Sequence, residues 1–482
     1  MPLVRNSSNY DGKNKTNFPD WSALVPVLPE DGPRTNALYR AIRRLIETGA
    51  VPPGGKLPPS RDLASRLGMS RAAVVASFEM LIADGFAIAR VGAGTFVADK
   101  VPHLEASEPL PEVRVASAMP LPGTLGVAVA DQRTMSIFRT LLARHLARPA
   151  AEHFHYGDPQ GSLALRQAIA AYLRQARGVR CDARRIVVTS GIQQGLDLVL
   201  RATLSPGDRM LVEDPCYPSA RAAFEGMGLL LSGLAVDGEG LDVANAGRVA
   251  VDARAVYVTP SHQFPLGVTM TMRRRLELIG WARRTGAWII EDDYDSEFRY
   301  AGPPLAAMQG MDDSGRVVYL GTFSKVLFPG LRLGYAVLPE GLLKDVIAVR
   351  IRTDRSPSTL AEAALTDLIR EGHFAAHLRR ARRRMQAARD ALVSGLSGTP
   401  ELAVAVPDQG LHLVATLPAG LNDVAAVALA RKAGLGARAL SAMAVTQKPR
   451  QGLVIGFSGF SPEDLYAAAS RFAALLGRPY PP

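Results

Sequence analysis

Gly321-Thr322-Phe323-Ser324-Lys325-Val326-Leu327-Phe328-Pro329-Gly330-Leu331-Arg332-Leu333-Gly334-Tyr335 is the stretch on which the reading of this chain turns. The apolar run Val317-Val318-Tyr319-Leu320 leads into it and reads as a buried strand. Small hydroxyl residues then precede one lysine, and an arginine framed by Gly330 and Gly334 follows. A charged lysine at a strand end in apolar surroundings is costly. Desolvation favours the neutral amine, the form that makes a Schiff base. Thr322, Ser324 and Arg332 are the residue types that hold a phosphate beside such an amine. A bare Ser-Lys pair is more often part of an ordinary surface loop. The full string, and the partners found elsewhere in the chain, set this lysine apart.

Those partners follow other strand-like runs. Ile186-Val187-Val188-Thr189, Met210-Leu211-Val212, Val256-Tyr257-Val258 and Trp288-Ile289-Ile290 alternate with helical patterns from about residue 130 onward. That alternation predicts an α/β domain with a mostly parallel sheet, whose ligands gather at the carboxyl ends of the strands. Ser190-Gly191-Ile192-Gln193 follows the first run and opens a helix, so its backbone N–H groups and the helix dipole suit a phosphate. A plain strand-to-helix turn gives the same pattern. Tyr217, after the second run, is placed to stack on a flat ring or simply to pack. Glu291-Asp292-Asp293-Tyr294-Asp295-Ser296-Glu297 ends the Trp288 run with acidic residues. A buried carboxylate there, assigned to Asp292, keeps a pyridine nitrogen protonated and the ring an electron sink. Tyr294 is expected at a phenolate oxygen of the same ring. A metal is the poorer reading of this cluster, since no histidine lies within it.

The chain's beginning reads differently. Residues 1–33 are an expected tail, rich at first in Asn, Ser, Lys and Gly. Leu38, Ala41, Ile42, Leu45 and Ile46 then fall on one helical face. Ser60 is expected to cap a short helix with Leu63, Ala64 and Leu67 inward. Gly68 suits a turn, and Ser70 caps a second helix with Val74, Phe78, Leu81 and Ile82 on its core face. Two short helices about a glycine turn read as helix-turn-helix. The second helix would enter a major groove by Ser70 and Arg71. Gly85 to Val97 reads as two strands about Gly92-Ala93-Gly94, a wing. Residues 1–100 hold 13 Lys+Arg against 9 Asp+Glu. Arg61, Arg66, Arg71 and Arg90 stand where phosphates of double-stranded DNA would lie, and Thr95 lies on the wing. Residues 99–125, with several prolines and few large apolar residues, read as a linker.

Composition sets the outer bounds. The chain has 482 residues, 48% hydrophobic and 21% charged, which suits a soluble protein of two or more domains. It has no run of 18 apolar residues and no apolar signal-peptide core near its start. Two cysteines, Cys181 and Cys216, make no disulfide framework, so a cytoplasmic location is expected. The net charge of +11 favours an anionic partner without naming it.

Residues 34–98 resemble the winged helix-turn-helix of the GntR family. The lysine string and its partners resemble fold type I aminotransferases, especially the branch with kynurenine aminotransferases. A GntR-type reader, a linker and an aminotransferase-like domain over 126–482 together form the architecture of the MocR-like regulators. The resemblance implies pyridoxal 5'-phosphate bound at Lys325. It implies a homodimer, head-to-tail with exchanged domains, in which Tyr156 of Tyr156-Gly157-Asp158-Pro159-Gln160-Gly161 reaches the neighbouring subunit's phosphate. It also implies a primary-amine effector sensed by aldimine exchange at Lys325.

Two departures weaken the case for transamination. Phe264, in His262-Gln263-Phe264-Pro265-Leu266-Gly267, stands where those enzymes carry an asparagine. The run Gly452 to Ser458 lacks their carboxylate-binding arginine. Arg438 is the nearest alternative anchor for an effector's acidic end, and equally a surface arginine. A shifted anchor suits a β- or γ-amino acid or an aminosulfonate. The arginine-rich stretch Leu378 to Arg384 is expected to be a solvated helix face. The chain thus reads as a cytoplasmic DNA-binding regulator. Its rivals are an aminotransferase with an accessory DNA-binding domain and a scaffold with an empty second domain.

Overall fold

The computed structural model describes residues 34–101, 119–249, 251–398, 402–418, 420–445 and 449–476. The expected tail and residues 102–118 of the expected linker lie outside them. The chain divides into two units, Met1–Ser117 and Ala118–Pro482.

In the first unit, helices α1 (Arg34–Glu47), α2 (Ser60–Leu67) and α3 (Arg71–Ala83) precede strands β1 (Ala87–Arg90) and β2 (Gly94–Val97). Leu38, Ile42, Leu63, Val74, Leu81 and Val97 are all buried in one core. Gly68 ends α2 in the left-handed conformation, φ 58°, which a glycine adopts without a Cβ penalty. Arg34 adds donors to the carbonyls of Leu67 and Gly68 at that helix end. Ser70 does cap α3, accepting from the Ala73 N–H at 3.2 Å. Ser60 does not cap α2. It is the helix's first residue, Pro59 holds the cap position, and no side chain bonds there. Ile82 is also not a core residue of α3, being 36% exposed. The core face runs through Ser77 instead, whose hydroxyl donates to the Thr35 carbonyl at 2.8 Å and so joins α3 to the start of α1. β1 and β2 pair antiparallel from Ala87↔Val97 to Arg90↔Gly94 and form the wing.

The second unit is built on strands β3 (Ile186–Thr189), β4 (Arg209–Asp214), β5 (Leu230–Asp237), β6 (Gly240–Leu241), β7 (Ala255–Val258), β8 (Trp288–Asp293), β9 (Val317–Thr322) and β10 (Gly334–Val337). They form one sheet in the order β3-β10-β9-β8-β7-β4-β5-β6. Pairs from β5 through β4, β7 and β8 to β9 are parallel, and β10 runs antiparallel between β9 and β3. Parallel strands buried on both faces read as continuous apolar runs, which is why these strands are legible. A second, antiparallel sheet holds β11 (Ala403–Val404), β12 (His412–Thr416), β13 (Arg438–Ala439) and β14 (Gly452–Gly456), in the order β11-β12-β14-β13.

The expected linker ends earlier than residue 125. Ala118 onward clusters with the second unit, where the Gly436 N–H donates to the Pro122 carbonyl and the Gly456 N–H to that of Gly123. Proline and glycine here shape a segment docked by its backbone, and such docking leaves no apolar pattern. The arginine-rich stretch is largely the solvated face expected, with Arg379, Arg382, Arg383 and Arg384 exposed and Arg380 half-buried, though three of these side chains also bond within the unit. Within the helix His373–Leu396, Arg380 pairs with Asp131 at 2.8 Å, Arg382 donates to the Glu297 carbonyl, and Arg384 to that of Val129. Arg380 holds the Asp131 carboxyl well below the usual range. No helix among the described residues is long and apolar enough to cross a membrane.

Candidate functional site

A cavity of about 230 Å³ opens at the carboxyl ends of the parallel strands. Gly191, Ile192, Gln193, Tyr217, Asp292, Tyr294, Thr322, Ser324, Lys325 and Arg332 all line it, although they come from four separate parts of the chain. All sit at or just beyond the end of β3, β4, β8 or β9, except Arg332, which lies just before β10.

The phosphate side is built by close backbone approach. A Cβ on Gly334 would lie 2.7 Å from the Gly191 Cα and 2.8 Å from the Gly321 carbonyl oxygen. Only a glycine lets β10 slip between these two strand ends. Gly191, at φ 99°, precedes the helix Ile192–Thr203. A Cβ placed on it would be 3.8 Å from Arg332 Nη1, 3.8 Å from Ser324 Oγ and 3.9 Å from Thr322 Oγ1. Three side-chain donors therefore surround one helix N-terminus, where backbone N–H groups and the dipole favour an anion. Ser324 Oγ is buried without a hydrogen-bond partner among the described residues. This donor set fits a phosphate.

The opposite side is acidic. Asp292, 4% exposed, accepts from the Tyr257 hydroxyl at 2.6 Å through Oδ2. Its Oδ1 is buried with no partner among the described residues. Burial pushes this carboxyl up to about 7, against the hydrogen bond from Tyr257 and the charge of Lys325, which pull it down. An orphaned carboxylate oxygen in such a place calls for a cationic N–H donor, and a protonated pyridine nitrogen is one. Glu213 lies close by, bonded to Thr259 Oγ1 at 2.6 Å and likewise pushed up to about 7 by burial. The residues thus fit the phosphate and the ring nitrogen of pyridoxal phosphate at once.

Lys325 lies in the turn after β9. A Cβ on Gly126 would come 3.0 Å from its Nζ, so the backbone of Gly126 forms the wall beside the amine. Sequence reasoning missed Gly126, Tyr257 and Thr259, all of which line the cavity. Tyr257 is brought to Asp292 by strand register. In neighbouring parallel strands Tyr257 pairs with Ile290, two residues before Asp292, so both side chains leave the same face.

Tyr217 meets Phe264 edge-on at 5.1 Å. Tyr294 contributes its ring to the cavity, but its hydroxyl is held by His262, 3.0 Å from the carbonyl oxygen and 3.0 Å from Nδ1. The expected bond to a cofactor oxygen therefore competes with one inside the protein. His262 Nδ1 lies 2.9 Å from Asp295, and His412 Nε2 lies 2.9 Å from the Pro265 carbonyl. Each of those ring nitrogens carries the hydrogen its acceptor requires. The network fastens the 261–267 loop to the start of β12. It also brings two histidines to the acidic strand end, which distance in sequence conceals.

Tyr156 does not reach the cavity. It is 78% exposed, with the Arg355 guanidinium 4.6 Å over its ring. Arg438 is exposed and does not line the cavity, but it pairs with Val454 across β13 and β14. Paired residues of an antiparallel ladder leave the sheet on one face. Val454 packs on Phe264, so Arg438 stands on the face that looks toward the site. In the first unit Arg61, Ser70, Arg71 and Arg90 are exposed, and Thr95 is half-buried. Arg90 lies 4.7 Å over the Phe96 ring. Among the described residues Arg61, Arg66 and Arg71 make no ion pair.

Comparison with known proteins agrees with this geometry. Residues 34–97 match the model of bacterial regulatory proteins of the gntR family, and residues 133–472 that of aminotransferase class I and II. The chain is 35% identical to the probable rhizopine catabolism regulatory protein MocR of Rhizobium meliloti, covering 94% of this chain and 96% of that one. It is 32% identical to the pyridoxine biosynthesis transcriptional regulator PdxR of Corynebacterium glutamicum, over 92% and 95% of the two chains. Among solved structures, kynurenine aminotransferase of Pyrococcus horikoshii matches with a TM-score of 0.69 and 27% identity, over 75% of this chain and 91% of that one. A winged reader, a fold type I aminotransferase domain and full-length likeness to such regulators lead to one assignment: the chain belongs to the MocR-like GntR-family transcriptional regulators.

Proposed function

We propose that this chain is a DNA-binding regulator that holds pyridoxal 5'-phosphate at Lys325 and responds to a primary amine. The observation that carries the reading is the buried, unpartnered Oδ1 of Asp292, facing the same cavity as Lys325 and the three-donor phosphate cradle. Bound there, the cofactor supplies an electrophilic carbon held by Lys325. Lys325 Nζ would hold that carbon, and an incoming primary amine would take the lysine's place there, leaving Lys325 as a free amine with no oxidant needed. Asp292 holds the ring proton, Tyr217 flanks the ring, and Thr322, Ser324 and Arg332 hold the phosphate with the N–H groups of Ile192 and Gln193. Tyr156 completes the phosphate site of a second copy in a homodimer. Arg438 receives the effector's acidic end, which favours amines whose acid lies beyond the α-carbon. In the reader, Arg71 and Ser70 meet bases or phosphates at the start of α3, Arg61 and Arg90 meet phosphates, and Thr95 lies on the wing.

The test is spectroscopic. Protein loaded with pyridoxal phosphate should show a visible band that borohydride fixes to Lys325, and Lys325→Ala should lose both while still binding DNA. Borohydride-fixed cofactor in the Lys325→Ala protein would refute the assignment. A coupled turnover assay separates this reading from an aminotransferase with an accessory reader, which would cycle amino acids at ordinary rates.

A further inference from the structure

The segment Met119–Gly126 brings the chain into the second unit, and its last five residues touch the second sheet, the Phe264 cluster and the lysine of the site. The Gly436 N–H, just before β13, donates to the Pro122 carbonyl at 2.6 Å, and the Gly456 N–H, at the end of β14, donates to that of Gly123 at 2.8 Å. Leu125 packs into the cluster of Phe264, Leu440, Met443 and Val454. Gly126 lies against the lysine amine, where a Cβ would be 3.0 Å from Nζ. Gly123 and Gly126 both hold positive φ, 98° and 78°, so the segment bends where other residues would be strained. A Cβ on Gly123 would come 2.2 Å from the Gly436 carbonyl oxygen.

We propose that Pro122–Gly126 is a strap that carries the state of Lys325 into the chain leading back to the reader. The lysine nitrogen is the atom that changes position when an amine displaces it. The strap's backbone is its immediate neighbour, and two backbone hydrogen bonds fasten the strap to the sheet that faces the effector. A device of this kind needs two arrangements with different affinity for the effector; the second would be the strap released from the N–H groups of Gly436 and Gly456. The proposal rests on the cofactor reading above.

Amide exchange tests it in the full chain loaded with pyridoxal phosphate. O-methylhydroxylamine is the probe, because its nitrogen takes the cofactor carbon from any such lysine and leaves Lys325 as a free amine. When the lysine-linked absorption is lost, exchange of the Gly436 and Gly456 amides should change by about threefold or more, while that of Ala73, at the cap of α3, stays constant. Loss of the absorption with unchanged exchange at both glycines overturns the strap and leaves the cofactor reading standing. No lysine-linked absorption at the outset overturns the cofactor reading, and the strap with it. A second measurement uses Gly123→Ala, which forces the strap off Gly436. The probe should shift wild-type operator affinity by roughly 5–150-fold and the variant by less than about twofold. A wild-type shift retained in the variant overturns the proposal.

Discussion

Tyr257→Phe removes one oxygen from the core and tests whether Asp292 is the ring-nitrogen partner. The phenol donates to Asp292 Oδ2 at 2.6 Å in a fully buried setting. A buried hydrogen bond to a charged group contributes about 1.5–3 kcal/mol. This one stabilises the carboxylate over the acid, so it holds the pKa of Asp292 down from where burial alone would put it. Its removal should raise that pKa by about one unit or somewhat more, at about 1.4 kcal/mol per unit. The sign for binding follows. If the cofactor's protonated ring nitrogen requires the carboxylate, cofactor-free protein must ionise Asp292 to bind it. At pH 7, close to the native value of about 7, wild type is half prepared and the variant is not. Cofactor affinity should therefore fall about 5-fold at pH 7 and recover towards wild type near pH 9, where both carboxyls are largely ionised. The assay is absorbance titration of cofactor-free protein between pH 6.5 and 9.5, taken as a ratio of variant to wild type so that other titrating groups cancel. A ratio close to one at every pH refutes the role given to Asp292, and an equal loss at all pH values marks structural damage instead.

Three other outcomes are expected. Arg71→Ala should cost about 1–3 kcal/mol on operator DNA if it reads a guanine, while Arg61→Ala weakens operator and random DNA alike; unchanged operator affinity in both, by gel shift, removes the reader assignment. Gly334→Ala sets a methyl against the Gly191 and Gly321 backbones, so it should destabilise the second unit by about 1–3 kcal/mol and weaken cofactor retention, as read by denaturant titration and absorbance. Arg438→Ala should raise the concentration of β- or γ-amino acids or aminosulfonates needed to perturb the cofactor band, and saturation by a common α-amino acid, unaltered in the variant, would remove the anchor.

Much of the site was legible because each parallel strand ends in its own local signature. A buried strand followed by hydroxyls and lysine, by Gly191 and a helix, or by acidic residues can be recognised without its neighbours, and the topology then gathers the strand ends. What was hidden depends on register or on backbone. Tyr257 is apolar in pattern, and only the pairing of β7 with β8 points its hydroxyl at Asp292. Gly126 has no side chain to announce it, and it sits in a stretch whose prolines and glycines read as linker. His262 and His412 look like isolated residues until the second sheet docks on the 261–267 loop. In the reader, Ile82 falls within the apolar pattern of α3, yet the helix points it outward and turns the hydroxyl of Ser77 inward to meet α1.

The composition of the cavity bears on why such a site suits sensing better than turnover. Phe264, 8% exposed, packs with Leu440, Met443 and Val454 where the aminotransferases it resembles place an asparagine amide. A phenyl ring fills that volume but donates no hydrogen bond to a cofactor oxygen. β14 offers Leu453, Val454 and Ile455, all fully buried, and no arginine. In the proposed reading the groups that would hold phosphate, ring nitrogen and amine are present, while this wall offers only packing where an α-amino acid would need polar contacts. Catalysis requires contacts that strengthen in the transition state. A sensor requires only that the bound amine favour one arrangement of the protein over another. In the proposed regulator the apolar wall would meet the second need and not the first. Phe264, which lines the cavity, shares one cluster with Val454 of the second sheet and Leu125 of the strap, so a ligand that presses on the ring presses on both.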